Sequence, residues 1–477
     1  MRKSIISFLL ALGILCVADL KALAYAADDL PHLPNQINEL TKNIVLKEIE
    51  LEKFNLHYRM EVGKQGRWAG WRYAAFQEAN FGMNLASGVA LTSERSSHFG
   101  TAHKLSRGKL EAANLTSMIG YIIGASAGAL ELGITEYHDL QAKHKGFSPK
   151  LAKAHILALK AEINRLLAER EILMKIEGAA PLLRPHFEED LVEGQVLTDL
   201  RDLALLEYQR FHLDLRRFVA FQKSLYFLDA TKYTCSAIGS LFAFMSQYKH
   251  DRKWNMRAGI MYDIAGTLII ATPFVSRGIG ILVQKAQKRY TASVVDDVQT
   301  TKIAILEEHE AELEKICKRN KGQAFCYESP PKRLALYRQE NHHFASEFDR
   351  IIQKERQGLL TATQNMIVGT YTGGCHLASG IIYTSVGSIA GSDSIRDANV
   401  TNNNLGAAAM VNIAGNSVAI LDTLRIQAQA EIRRHKAAKE GKLSTQLFAK
   451  NLAELDRMEE KLTSTRNSEH SHNSIKF

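Results

Sequence analysis

The chain has 477 residues, of which 46% are hydrophobic and 23% charged, and its formal net charge is +9. That composition excludes a disordered chain, and the length suits two to four units of about 100–200 residues each. The positive charge is spread out, with no zinc-ligand spacing and no basic helix interleaved with stacking aromatics, which excludes a recognisable nucleic-acid module.

The N-terminus, "MRKSIISFLLALGILCVADLKALAYAADD", carries Arg2 and Lys3, then an apolar run from Ile5 to Ala18. It closes on Ala24-Tyr25-Ala26, the small-x-small pattern read by signal peptidase. The apolar run falls short of the roughly 20 residues of a comfortable span. Residues 1–26 are therefore expected to be a signal peptide, with an uncleaved anchor as the alternative. Ile14 and Leu15 before Cys16 are too large for a lipoprotein site. The expectation is a bacterial-type exported protein, mature from Ala27.

Export makes the remaining cysteines informative. Cys317 and Cys326, in "CKRNKGQAFC", flank a short polar loop after a helix and are expected to form a local disulfide. Cys235 and Cys375 lie in apolar segments and either pair or stay as inert thiols. No pair has the CxxC spacing of metal or redox motifs.

Six of the eight prolines fall in three couples, Pro31/Pro34, Pro181/Pro185 and Pro330/Pro331, at nearly equal intervals. Proline punctuates helices, and agreement between the thirds follows. "NLASGVALTS" (84–93) matches "HLASGIIYTS" (376–385), with a looser "SAIGSLFAFMS" (236–246) in the middle third. "MYDIAGTL" (261–268) matches "MVNIAGNS" (410–417), and "IGYIIGAS" (119–126) fits the same frame. The fold class expected is all-α, with three tandem repeats of about 150 residues: unit 1 over 27–178, unit 2 over 179–329, unit 3 over 330–462, then a disordered tail over 463–477.

Each unit reads in one order: a long amphipathic helix, an apolar segment, a polar loop, a second apolar segment, and a charged helix. In the first unit Ile37, Ile44, Leu51 and Tyr58 form a seven-residue seam, joined by Leu40 and Phe54. Ile156, Leu159, Ile163, Leu166 and Leu173 form another in its last helix. Ser148-Pro149 supplies the start of that helix, a capping residue followed by proline in the first turn.

Six apolar segments, 79–93, 115–134, 233–248, 258–284, 359–392 and 399–421, form three hairpins that either cross a membrane or pack in a soluble bundle. Glycine costs roughly 1 kcal/mol against alanine in a helix interior, so the ladder Gly120, Gly124 and Gly128 needs a reason, as does the seven-residue series Gly373, Gly380 and Gly387. Close helix packing supplies one. Gly124 aligns with Gly266 and Gly415, which marks one close-contact position in all three units. Glu131, Asp263, His376, Asn412 and Asn416 interrupt the apolar segments and argue against a span. The Thr, Tyr, Val and Ile content of 359–392 also leaves room for a strand. Two of the three hairpin loops are basic, and with the mature N-terminus outside they obey the positive-inside rule.

Catalytic signatures are missing: no HExxH, GxSxG, GxxxxGK[ST] or GxGxxG on a strand–helix turn occurs. Glu340 and His343 make a single ExxH, where a di-iron bundle needs two; a solvated helix face is the expected reading. His57, His212 and His343 occupy similar places in their units and read as ordinary surface or core histidines. Trp68 and Trp71 suit either a membrane interface or a core. The function expected is that of an exported helical-repeat protein of the cell envelope, membrane-associated or periplasmic, structural or interaction-based rather than enzymatic. No cofactor and no nucleic acid are implied; the expected partners are membrane lipid, another envelope protein or further copies of the chain. The alternatives are a soluble periplasmic or secreted bundle with a binding role, and a pore-former that inserts an apolar hairpin.

Overall fold

A computed structural model describes residues 32–63, 68–96, 106–179, 184–249, 251–320, 329–388, 395–441 and 443–473. The expected signal peptide and Cys326 lie outside these residues. Ten α-helices and one 3-10 turn appear, with no strand among the described residues. In chain order they are α1 Leu33–Val62, α2 Ala69–Ser96, α3 Arg107–His144, α4 Pro149–Ala179, α5 Arg184–Lys249, α6 Lys253–Tyr290, α7 Ile303–Asn320, α8 Ser329–Ser388, α9 Ile395–Lys439 and α10 Ser444–Asn473. The short 3-10 turn is Ala292–Val294. The strand option over 359–392 does not hold, since that stretch continues α8.

Local chemistry explains several boundaries. Ser148 Oγ accepts the Leu151 amide at 3.2 Å, one turn into α4. Gly146, at φ 87°, closes α3, with the Phe147 amide reaching back to the Ala142 carbonyl. Gly441, at φ 67°, closes the turn after α9 in the same left-handed conformation. The expected break between the first helix and the first apolar segment occurs only in the N-terminal third, where α1 stops at Gly63. In the other two thirds, helix and segment are one continuous rod, 66 residues in α5 and 60 in α8. The "VGKQGRW" stretch holds two glycines at the break, and neither rod has an equivalent pair at the junction. Past Thr463 the periodicity fades, yet α10 runs on to Asn473.

The helices form two layers. The arm layer comprises α2, α3, the C-terminal half of α5, α6, the C-terminal half of α8, and α9. Contacts run α2–α3, α3–α5, α5–α6, α6–α8, α8–α9 and back from α9 to α2, a closed circuit of six. The head layer comprises α1, α4, the N-terminal half of α5, α7, the N-terminal half of α8, and α10. It runs α1–α4, α4–α5, α5–α7, α7–α8 and α10–α1, and α8 meets α10 around Glu340 and Leu455.

The head holds the main apolar core. Ile37, Ile44, Leu51 and Tyr58 are fully buried, and Ile156, Leu159, Ile163 and Leu166 pack as a second buried row. Each such aliphatic side chain contributes about 1.5–3 kcal/mol by leaving water. Polar clamps then fix the helix order. Arg333 makes a two-pronged contact with Glu193 at 2.7 and 2.8 Å, and the Tyr337 hydroxyl donates to the same carboxylate at 2.9 Å. Arg170 joins Glu193 and Asp190 to the Thr41 hydroxyl, tying α4 to α5 and α1. Lys160 donates to the Val294 carbonyl and pairs with Asp296 and Asp297, pinning the α6–α7 connection to α4.

Candidate functional site

Along the arms the usual arrangement of polarity is reversed. On α2, Gln77, Asn80, Asn84 and Ser87 recur at helical spacing on one face, and all four are buried. Facing them are Ser117 and Tyr121 of α3, Tyr233, Ser236 and Ser240 of α5, Tyr262 of α6, His376 and Ser379 of α8, and Asn416 of α9. Ser240 bonds the Tyr262 hydroxyl at 2.9 Å, and Ser117 donates to Asn84 Oδ1 at 2.5 Å. The Tyr121 hydroxyl and His376 Nε2 lie 3.1 Å apart, and Asn412 Nδ2 donates to Ser379 at 2.9 Å. These hydrogen bonds offset the loss of water that burial imposes. Of the polar residues that interrupt the apolar segments, His376 and Asn416 thus turn inward.

The outer faces are apolar. Among the described residues, Leu151 and Leu191 are the only exposed large hydrophobics on the head helices; the others lie on the arms or just before α2. Ile119 and Ile122 of α3, Ile260, Ile264 and Phe274 of α6, Ile381 of α8, and Met410 and Leu421 of α9 all point outward. Trp68 and Trp71 are exposed at the head end of α2, which removes the core option for them. Three helical stretches, within Arg107–Glu177, Lys253–Tyr290 and Val400–Lys439, are long and apolar enough to cross a membrane. In their most apolar windows only 33%, 28% and 39% of residues are buried, so most of that apolar surface is uncovered by the protein.

The glycines singled out from the sequence sit where helices approach closely. A Cβ on Gly124 would lie 2.8 Å from Asn80 Nδ2 and 3.0 Å from the Tyr233 ring; one on Gly120 would lie 3.1 Å from the Asn80 carbonyl oxygen. Gly128 faces the α5 backbone, 2.7 Å from the Tyr226 carbonyl oxygen. Gly266 and Gly373 face one another across α6 and α8, each such Cβ 3.0 Å from the other's carbonyl oxygen. Gly380 lies against the Asp263 backbone, at 2.7 Å from its nitrogen, and Gly415 against Cys375 at 3.0 Å.

Between the arms, at their head end, lies a chamber of about 350 Å³ to which all six arm helices contribute. Tyr73, Gln77, Phe81, Tyr121, Asp229, Lys232, Tyr233, His376, Asn416 and Asp422 are among its lining. Asp229 pairs with Lys232 at 2.6 Å and accepts from the Tyr73 hydroxyl. Towards the hairpin loops the interior is filled by Ala243, Ala258, Tyr383, Val386, Leu405 and Ala408. A second cavity of about 690 Å³ lies beside the α1–α2 junction. Its charges are matched pairwise: Arg72 holds Glu131 at 2.6 and 2.9 Å, Lys145 holds Glu61 at 2.7 Å, and Lys223 holds Asp139 at 3.0 Å.

Other candidate residues do not converge. His57 is exposed and bonds its own helix at the Lys53 carbonyl, whereas His212 is buried between Tyr58 and Gln287. Glu340 is buried in the head rather than solvated, which corrects the expectation for the ExxH; the His343 side chain lies outside the described residues. Burial, then the neighbouring Glu48, holds the Glu340 carboxyl well above its ordinary pKa, and burial, then Glu52, does the same for Glu48. No group of three metal-binding side chains occurs among the described residues. Cys235 and Cys375 are separate free thiols, and Cys317 is buried in the head core. No protein-family model, curated protein or solved structure matches the chain.

Proposed function

We propose that this chain is an integral membrane protein of the cell envelope, inserting its arm layer as three helical hairpins and holding its head outside the bilayer, with a binding or structural role rather than a catalytic one. The observation that carries this reading is the reversed polarity of the arms: a polar, partly hydrogen-bonded interior within an apolar exterior, joined to a head whose outer faces expose few large hydrophobics. In water that exterior is unfavourable, whereas in hydrocarbon both halves of the pattern are stable.

Arm length supports the same reading. Stretches free of Asp, Glu, Lys and Arg cover 79–93, 112–130, 233–248 and 398–421, and 258–276 has Asp263 as its one charge. Those five lengths, 15 to 24 residues, correspond to ~23–36 Å of helix, against a hydrocarbon thickness of ~30 Å; the charge-free stretch 357–392 in the sixth arm is longer. Asp263 does not face lipid alone, since the Thr384 hydroxyl donates to it at 3.3 Å. With a cleaved signal peptide the head stands on the outer side, and the basic loops after α2 and α5 stand on the cytoplasmic side. The plug of Ala243, Val386 and Leu405 favours a chamber closed at its loop end over an open pore.

The threefold repeat belongs to this proposal. Its support is the matching order of motifs, the three hairpins placed consecutively around the arm circuit, and the left-handed glycines Gly146 and Gly441 at corresponding arm-to-head turns. Stacked units of this kind bury faces that one alone leaves open. Site-directed fluorophores test the insertion. A label replacing Ile119, Ile264 or Met410 should be quenched by nitroxide-bearing lipid after reconstitution, while one replacing Leu151 or Leu191 should not. Equal, weak quenching at all five positions would refute insertion.

A further inference from the structure

The chamber wall presents polar groups to which the protein gives no partner. Gln77 is 4% exposed, and neither Oε1 nor Nε2 of its carboxamide has a hydrogen-bond partner. Native interiors rarely tolerate such groups without a water or a ligand.

Three features restrict what could satisfy them. The first is size. A chamber of about 350 Å³ is at the lower end of the roughly 300–1,000 Å³ range of small-molecule sites. The second is the aromatic wall. Phe81, Tyr121 and Tyr233 come from three helices, and the Tyr121 and Tyr233 rings are nearly parallel, with centroids 6.4 Å apart. Such a wall suits a flat ring. The third is charge. Asp229 is matched by Lys232 and Asp422 by Arg425, so the lining neutralises itself and asks for no net charge from a guest. The carboxamide of Gln77 offers one donor beside one acceptor, which is complementary to an amide or imide edge.

We propose that the chamber binds a neutral, planar heterocycle with an amide- or imide-type edge, with Gln77 pairing to that edge and the aromatic side chains contacting the ring. The inference does not depend on what surrounds the arms, so it stands or falls separately from membrane insertion.

The test uses the purified full chain in detergent micelles and lumichrome, a neutral fluorescent tricycle with an imide edge, with uracil as competitor. The expected result is a saturable fluorescence change that uracil reverses. Gln77→Leu should weaken lumichrome binding by about tenfold or more, the order of effect for a lost paired polar contact. Lumichrome methylated at the imide nitrogen should bind the unaltered chain correspondingly less well. The methylated compound also decides the matter if the Gln77→Leu chain does not fold. Absence of saturable binding by both lumichrome and uracil, meaning a chamber that holds water only, would overturn the proposal. Equal binding of the methylated and unmethylated compounds would overturn it too, as would unchanged affinity in a folded Gln77→Leu chain.

Discussion

At the scale of single residues, the arms depend on backbone proximity and the head on matched charge. Gly266 allows no larger side chain, because a Cβ there would lie 2.6 Å from the Leu377 nitrogen and 2.9 Å from its Cα. Gly124 instead meets side-chain atoms of Asn80 and Tyr233, which can shift. Gly266→Val should therefore destabilise more than Gly124→Val, within the roughly 1–3 kcal/mol of overpacking and somewhat beyond it for the first. Gly133→Ala, with nothing within 4 Å, should be neutral or stabilising by up to about 1 kcal/mol. Thermal unfolding of the three variants measures the order; an equal loss in all three would show that close approach is not what the glycines provide. In the head, Glu193→Ala leaves Arg333 and Arg170 facing each other without their carboxylate and should cost about 3–5 kcal/mol, read from denaturant midpoints. A loss below about 1 kcal/mol, the value of an exposed pair, would contradict the buried clamp.

At the scale of elements, the helical arms and the seams of α1 and α4 were legible because each rests on a helical period that recurs within a short window. The inward direction of Gln77, Asn80, Asn84 and His376 was not read. His376 looks from sequence like an interruption of an apolar segment, whereas the spacing 77, 80, 84, 87 is itself one helical face and carries the signal. The chamber was missed for the same reason, since it exists only when six helices close a circuit, and no local pattern specifies that closure. Burial of Glu340 was likewise invisible, because the carboxylates near it come from other helices. The arms also make a prediction that separates lipid from water. Replacing the outward Ile264 by Lys should reduce stable insertion, at about 2.5–3.5 kcal/mol for a cation near a span centre; in a soluble bundle the same change would be harmless. Yield of folded chain in membranes, compared with Ile264→Leu, distinguishes the two.

At the scale of the whole molecule, the two layers differ in what acid and base do to them. In the head, burial and then the neighbouring Asp190 push Glu177 up to about 8, and Glu48, Glu52 and Glu340 shift upward too. A carboxyl with a raised folded pKa stabilises fully below its ordinary value, about 4.3, and that contribution is lost as pH rises through the raised value. Glu193 behaves oppositely: burial opposes its charge, but Arg333 and Arg170 outweigh burial and hold its pKa low. Its contribution is present at neutral pH and fails only in acid. Unfolding temperature should therefore fall as pH rises towards about 8, and Glu48→Gln with Glu340→Gln should flatten that fall. A stability that instead climbs steadily through this range would contradict the buried protonated carboxyls.

If lipid covers the arm layer, membrane extraction will show it. After cell disruption, the chain should sediment with membranes, survive a wash in alkaline carbonate, and enter solution only with detergent. Recovery of folded chain in the soluble fraction without detergent would contradict it.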